Sequence, residues 1–175
     1  MNLLLSALNS TLKKTAGNLH YYFLNNICQQ YNDSSICSKV IFELTETIVA
    51  EDIRKLIIIM NQLKQLGLRF SMDDFGTGYS SLSYITQLPI DELKIDRSFV
   101  SNLNDNEQNM AMVSTILNMA KTFGLSVVAE GVKTSEQVDF LVQNHCDILQ
   151  GFYFSKPVSK EEFEILYANN LQGLK

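Results

Sequence analysis

Two adjacent aspartates, Asp73 and Asp74, end an apolar run and lead into a glycine-spaced loop in the stretch M-D-D-F-G-T-G-Y-S-S. Four more polar segments follow the same habit. I-F-E-L-T-E carries Glu43 and Glu46, E-L-K-I-D carries Lys94 and Asp96, V-V-A-E-G-V carries Glu130, and I-L-Q-G ends on Gln150. Each has an ordinary explanation alone, since isolated acids at strand ends are mostly solvated or form turns. Gathered at one place, several carboxylates would repel each other unless cations neutralise them. Hard oxygen donors suit Mg²⁺ or Mn²⁺. Zinc is disfavoured because there is no Cys/His cluster, and His20 and His145 stand alone. Two such ions about 3.5–4 Å apart activate a water and stabilise the leaving oxygen of a phosphoester. The residue types therefore point to metal-assisted phosphoester hydrolysis and leave the substrate open.

These side chains need elements to carry them. Apolar runs at Leu3–Leu8, Val40–Leu44, Leu68–Met72, Glu92–Ile95, Ser126–Ala129 and Ile148–Phe154 read as six strands. Amphipathic helices separate them. One carries Ile53, Leu56, Ile57, Met60 and Leu63 and stops at Gly67. Another carries Met110, Val113, Ile116, Leu117 and Ala120 and stops at Gly124. Ser135 is an expected N-cap, Ser159 with Glu162 has capping-box spacing, and shorter helices are expected at 21–30 and 80–87. Alternation places Glu43 and Thr45 on one strand face, and Lys94 with Asp96 on one face. If both are extended, Asp73 and Asp74 point opposite ways, one to the site and one sideways or into the loop. Gly76 and Gly78 allow that loop angles closed to other residues.

Strands alternating with helices imply a parallel sheet covered on both sides. The polar residues sit at the C-terminal ends of several different strands, which fits a (β/α) barrel better than an open doubly wound sheet. A whole barrel has eight strands in roughly 250 residues. These 175 residues supply about six, so the expected fold is α/β, an incomplete modified (β/α) TIM-type barrel forming one domain over 1–175.

The net charge of -5 argues against a broad grip on a DNA or RNA polymer. Apolar residues at 46% and charged residues at 19% are an ordinary globular mix. Cys28, Cys37 and Cys146 lack C-x-x-C spacing, which suits small apolar residues in a reduced, cytoplasmic compartment. No apolar run is long enough to span a bilayer, so no membrane contact is expected, and the N-terminus lacks the basic region of a signal peptide.

Taken together, F-E-L-T-E, D-D-F-G-T-G-Y-S-S-L, L-K-I-D, V-V-A-E-G-V-K-T and Q-G-F-Y-F-S-K-P closely resemble the EAL-domain family in order and spacing. The resemblance implies a bacterial signalling enzyme that hydrolyses cyclic di-GMP to linear pGpG with Mg²⁺ or Mn²⁺. It implies metal ligation by Glu43, Asp73, Asp74 and Glu130, with Glu130 also a candidate base. It gives Lys94 the attacking water to orient, and Asp96 and Gln150 the surrounding water network. Glu46 would anchor the loop that contains Thr77 and Gly78, near a homodimer interface. Asn9 matches a family ligand position and is equally placed to cap a helix. The chain also departs from the pattern. It has no Glu-Ala-Leu segment, Thr11 stands for a serine, and Lys133 for a glutamate. The first two strands of the barrel are therefore expected to be missing, with open edges that a second copy covers or that leave apolar surface exposed. The alternative is a catalytically inactive module that binds cyclic di-GMP or a protein partner. An upstream sensor domain is compatible with either.

Overall fold

The computed structural model describes residues 40–45, 53–76, 85–103 and 106–172. Five strands alternate with helices: β1 (Ile41–Thr45), α1 (Ile53–Gln65), β2 (Arg69–Phe75), β3 (Glu92–Ile95), α2 (Arg97–Ser101), α3 (Glu107–Phe123), β4 (Ser126–Glu130), α4 (Ser135–Gln143), β5 (Ile148–Gln150) and α5 (Lys160–Gln172). All strand pairs are parallel and the sheet order is β1-β2-β3-β4-β5. An unreversed order is the mark of a barrel wall, since a doubly wound sheet reverses at a switch point. The described chain is thus part of a (β/α) barrel. The expected strand Leu3–Leu8, the helix at 21–30, most of that at 80–87, and Cys28, Cys37 and His20 lie outside the described residues.

Alternation gives the sheet two unlike faces. Phe42, Leu44, Phe70, Met72, Leu93, Ile95, Val127 and Ala129 form one core with Met60 and Leu63 of α1 and Val113, Ile116, Leu117 and Ala120 of α3. Glu43, Ser71, Asp73, Glu92, Lys94 and Glu130 occupy the alternate positions and face the barrel interior. Helix ends follow their chemistry. α3 stops at Gly124, whose φ of 69° is left-handed and whose N–H bonds Ala120 and Lys121 carbonyls. Ser159 and Glu162 form the expected capping box. The α4 cap is Thr134 rather than Ser135, because Thr134 and Gln137 satisfy each other's backbone donors.

Two aspartates tie the strand beginnings together. Asp91 accepts from Phe70 N (2.9 Å) and pairs with Lys64 (2.6 Å), while Asp147 accepts from Val127 N (2.8 Å). Cys146 packs beside them with its thiol pushed up to about 11 by burial, an inert apolar residue as expected. β5 ends three residues in, and 151–154 turn instead of extending the strand. The turn keeps Phe152 (58%) and Phe154 (56%) exposed, and α5 likewise shows Phe163 and Tyr167 to solvent. Met110 is also exposed, so the buried stripe of α3 begins at Val113.

Gly151 sits against the backbone of Val132, and a Cβ there would overlap Val132 N and O. Gly124 has nothing within 4 Å of the same added atom. Gly151→Ala should therefore lose about 3 kcal/mol in urea denaturation and Gly124→Ala about 1 kcal/mol. Equal losses would mean that the Val132 contact does not constrain the fold.

Candidate active site

Four consecutive strands each deliver one side chain to a single point. Lys94 Nζ lies 2.7 Å from Glu130 Oε1, 2.9 Å from Glu43 Oε1 and 3.0 Å from Asp73 Oδ1. An ammonium has three N–H donors, and each here meets a carboxylate. The Lys94 side chain is 11% exposed, so these bonds are shielded from solvent. Burial alone would lower its pKa, but the hydrogen bonds it donates to Glu130, Glu43 and Asp73 outweigh it and hold the group above its ordinary 10.5. The three carboxylates thus favour Lys94 as a charged donor.

Asp74 departs from the extended geometry expected of it. Its φ is 54°, and the β2–β3 register shifts between Met72 and Phe75. The extra residue forms a bulge, which returns Phe75 to the core (6% exposed) and leaves Asp74 exposed, within electrostatic reach of Asp73, Asp96 and Glu130. Burial, then the charges of Asp73, Asp96 and Glu130, raise the Asp74 pKa against the pull of Lys94. Gly76, with φ 96°, continues the turn and packs on the Phe99 ring.

Asp96 lies beside the cluster but is committed to structure. It N-caps α2, and its Oδ1 accepts from Ser98 N at 2.9 Å. Burial works against ionisation there, but hydrogen bonds from Ser98 and Arg97 and the Arg97 charge hold the carboxyl below its usual range. Gln150 stands opposite Glu130 in the β4–β5 ladder and is exposed. His145, in a left-handed turn (φ 59°), precedes β5 at the other end of the sheet. Asn9, Glu46, Thr77 and Gly78 lie outside the described residues.

Two residues of the site escape sequence reasoning. Ser71 faces the interior one step before Asp73, fully buried, its hydroxyl without a hydrogen-bond partner. Gln137 is buried at 3% and bonds across to α2. Capping spacing marks Gln137 for a local role only, and nothing in the sequence signals Ser71.

Among the described residues, no three acidic, histidine or cysteine side chains stand in the arrangement of a metal centre, because the carboxylates converge on the ammonium. The donor set nevertheless fits a hard divalent cation. Glu43, Asp73, Asp74 and Glu130 offer only oxygen, and four carboxylates outnumber the one Lys94 ammonium.

Residues 5–157 match the profile of the EAL domain. The chain belongs to the EAL domain family. Over 124 residues it is 44% identical to cyclic di-GMP phosphodiesterase NbdA of Pseudomonas aeruginosa, a match covering 69% of this chain and 16% of NbdA. The solved MucR phosphodiesterase in complex with c-di-GMP is 38% identical with a TM-score of 0.78, covering 85% of this chain and 59% of that one. Klebsiella pneumoniae BlrP1, solved with manganese and cy-diGMP, is 28% identical with a TM-score of 0.71, covering 86% and 37%. The chain thus spans only part of the relatives it matches, and its described residues form five strands of the barrel wall. No helix among the described residues is long and apolar enough to cross a membrane.

Replacing Lys94 strands three carboxylates. Lys94→Met should lose about 2 kcal/mol of stability at neutral pH. Acidification or added Mn²⁺ should restore part of it, as urea titrations at two pH values will show. A loss indifferent to both would mean the acids do not repel.

Asp74 has the opposite sign. Its folded pKa lies above the ordinary 3.8, so its ionisation is resisted in the fold and stability falls as pH rises from 3.8 through the folded value. Asp74→Asn should remove that decline and weaken Mn²⁺ binding. A pH–stability curve identical to that of the native chain would count against this placement.

Proposed function

We propose that this EAL domain belongs to an enzyme that hydrolyses cyclic di-GMP to linear pGpG, using two Mg²⁺ or Mn²⁺ ions. The observation that supports this most is the convergence of Glu43, Asp73 and Glu130 on Lys94 from four adjacent strands. In this reading Glu43, Asp73, Asp74 and Glu130 hold the cations, with Asn9 as a further ligand. When bound, the cations polarise the phosphoester and acidify a water.

The chain's own residues do the rest. With the carboxylates drawn onto the cations, Lys94 would have an N–H released to donate to the water and orient it in line with the phosphorus. Glu130 accepts the water's proton. Water oxygen bonds to phosphorus as the P–O3′ bond breaks, and Glu130 returns the proton to the released 3′ oxygen, leaving a linear dinucleotide and Glu130 ionised again. In this proposal Asp96 and Gln150 flank the water network, and the family resemblance gives Glu46 the role of anchoring the loop that contains Thr77 and Gly78. Relatives named for cyclic di-GMP hydrolysis, and a manganese complex of BlrP1, support the substrate and cation class. A homodimer, a cytoplasmic location and an upstream sensor domain belong to the same proposal, and NbdA is much longer than the match.

A second reading is a module that binds cyclic di-GMP without cleaving it. It is favoured by the ammonium standing where the carboxylates meet. Incubation with cyclic di-GMP and Mn²⁺, followed by chromatography of the nucleotides, separates the two. We expect pGpG from the native chain and at least a hundredfold less from Asp73→Ala. Binding without product would replace the first reading with the second, and absence of binding would overturn both.

A further inference from the structure

One buried amide joins the loop after β4 to α2. Gln137 Oε1 accepts from Lys133 N (2.7 Å) and Thr134 N (3.2 Å), both in the loop that follows Glu130. Its Nε2 donates to Val100 O (3.0 Å) and Ser101 O (3.5 Å) at the end of α2. All four hydrogen-bonding positions of the amide are therefore used. A helix cap needs only the first pair. The second pair reaches 37 residues back along the chain to the element that Asp96 caps and that follows Lys94 directly. A second contact lies nearer the site. Gly131, with φ 77°, packs so closely on Arg97 that a Cβ would stand 2.7 Å from the Arg97 Cβ. The exits of β3 and β4 are thus joined at two levels, by Gly131 on Arg97 and by Gln137 on Val100.

We infer that Gln137 is a positioning residue that fixes Glu130 of β4 against Lys94 of β3 by bolting the β4–α4 loop to α2. This rests on the phosphodiesterase reading for its kinetic consequences, but not for its effect on cation binding. A fully satisfied buried amide gives that geometry a single solution, whereas a packed apolar side chain of the same volume would allow the loop to slide. Glu130 must hold its carboxylate to within a fraction of an ångström to serve both Lys94 and a cation.

The test compares the native chain with Gln137→Met, Gln137→Glu and Thr134→Ala. Met keeps the volume and loses all four hydrogen bonds. Glu keeps acceptors for the loop and loses the donor to Val100. Thr134→Ala weakens the helix cap and leaves the bridge to α2 in place. Melting temperature, Mn²⁺ affinity by titration calorimetry, and kcat and KM for cyclic di-GMP are measured for each. We expect Gln137→Met to bind Mn²⁺ about tenfold more weakly and to lose about tenfold in kcat with KM little changed. Gln137→Glu should fall in the same direction, and it decides the matter if the Met variant does not fold. Thr134→Ala should melt lower with kcat and Mn²⁺ affinity unchanged. If both Gln137 variants melt lower but keep native Mn²⁺ affinity and kcat, the residue is only a cap and the inference is overturned. A native chain that binds Mn²⁺ but makes no pGpG overturns the proposed activity alone, and the calorimetry then decides the role of Gln137. A native chain that does neither overturns both.

Discussion

Everything at the mouth of this sheet depends on the Lys94 ammonium. Three carboxylates from three strands share it at 2.7–3.0 Å, and no pair of them could approach so closely without a cation between. The apolar face of the same strands explains why the charge is tolerated. Leu93 and Ile95, flanking Lys94, are fully buried against α2 and α3, so β3 cannot twist its lysine away without exposing them. Electrostatics and packing fix the same register, and each makes the other's arrangement the only economical one.

A second device adapts a regular strand to an irregular task. Alternation lets one strand present every other residue to a site, never two neighbours. The bulge at Asp74 breaks that limit by spending one residue outside the ladder. Its left-handed backbone is uncommon for aspartate, though aspartate tolerates it better than most residues. Strain of this kind concentrates where function needs a particular geometry.

The sequence made much of this legible, and the boundary is physical. Strands β1 to β4 and the helices α1 and α3 follow from apolar periodicity and from Gly67 and Gly124 at helix ends. The gathering of Glu43, Asp73, Lys94 and Glu130 follows from acids placed at strand exits. The disposition of Asp74 was not legible, since a bulge arises from pairing with β3 and leaves no mark in local pattern. Asp96 reads as one more inward acid by alternation, but the chain leaves the strand there and its carboxylate finds the Ser98 amide first. The reach of Gln137 to Val100 was hidden because its two halves lie far apart in the chain. The early end of β5 is hidden because Phe152, Tyr153 and Phe154 favour strands, whereas the turn is set by contacts of Gly151 and Tyr153 with the distant Val132.

The loop after β4 touches both of its neighbours through main-chain atoms. Gly131 lies on Arg97, Val132 N–H bonds the carbonyl of Gln150, Tyr153 N–H bonds that of Val132, and Gly151 fits against the same residue. The Gln137 side chain adds its own bridge from this loop to α2. Three strand exits that are far apart in sequence therefore form one mechanical body. Their amides should exchange with solvent together, in a single opening event, and a perturbation at any one exit is felt at all three.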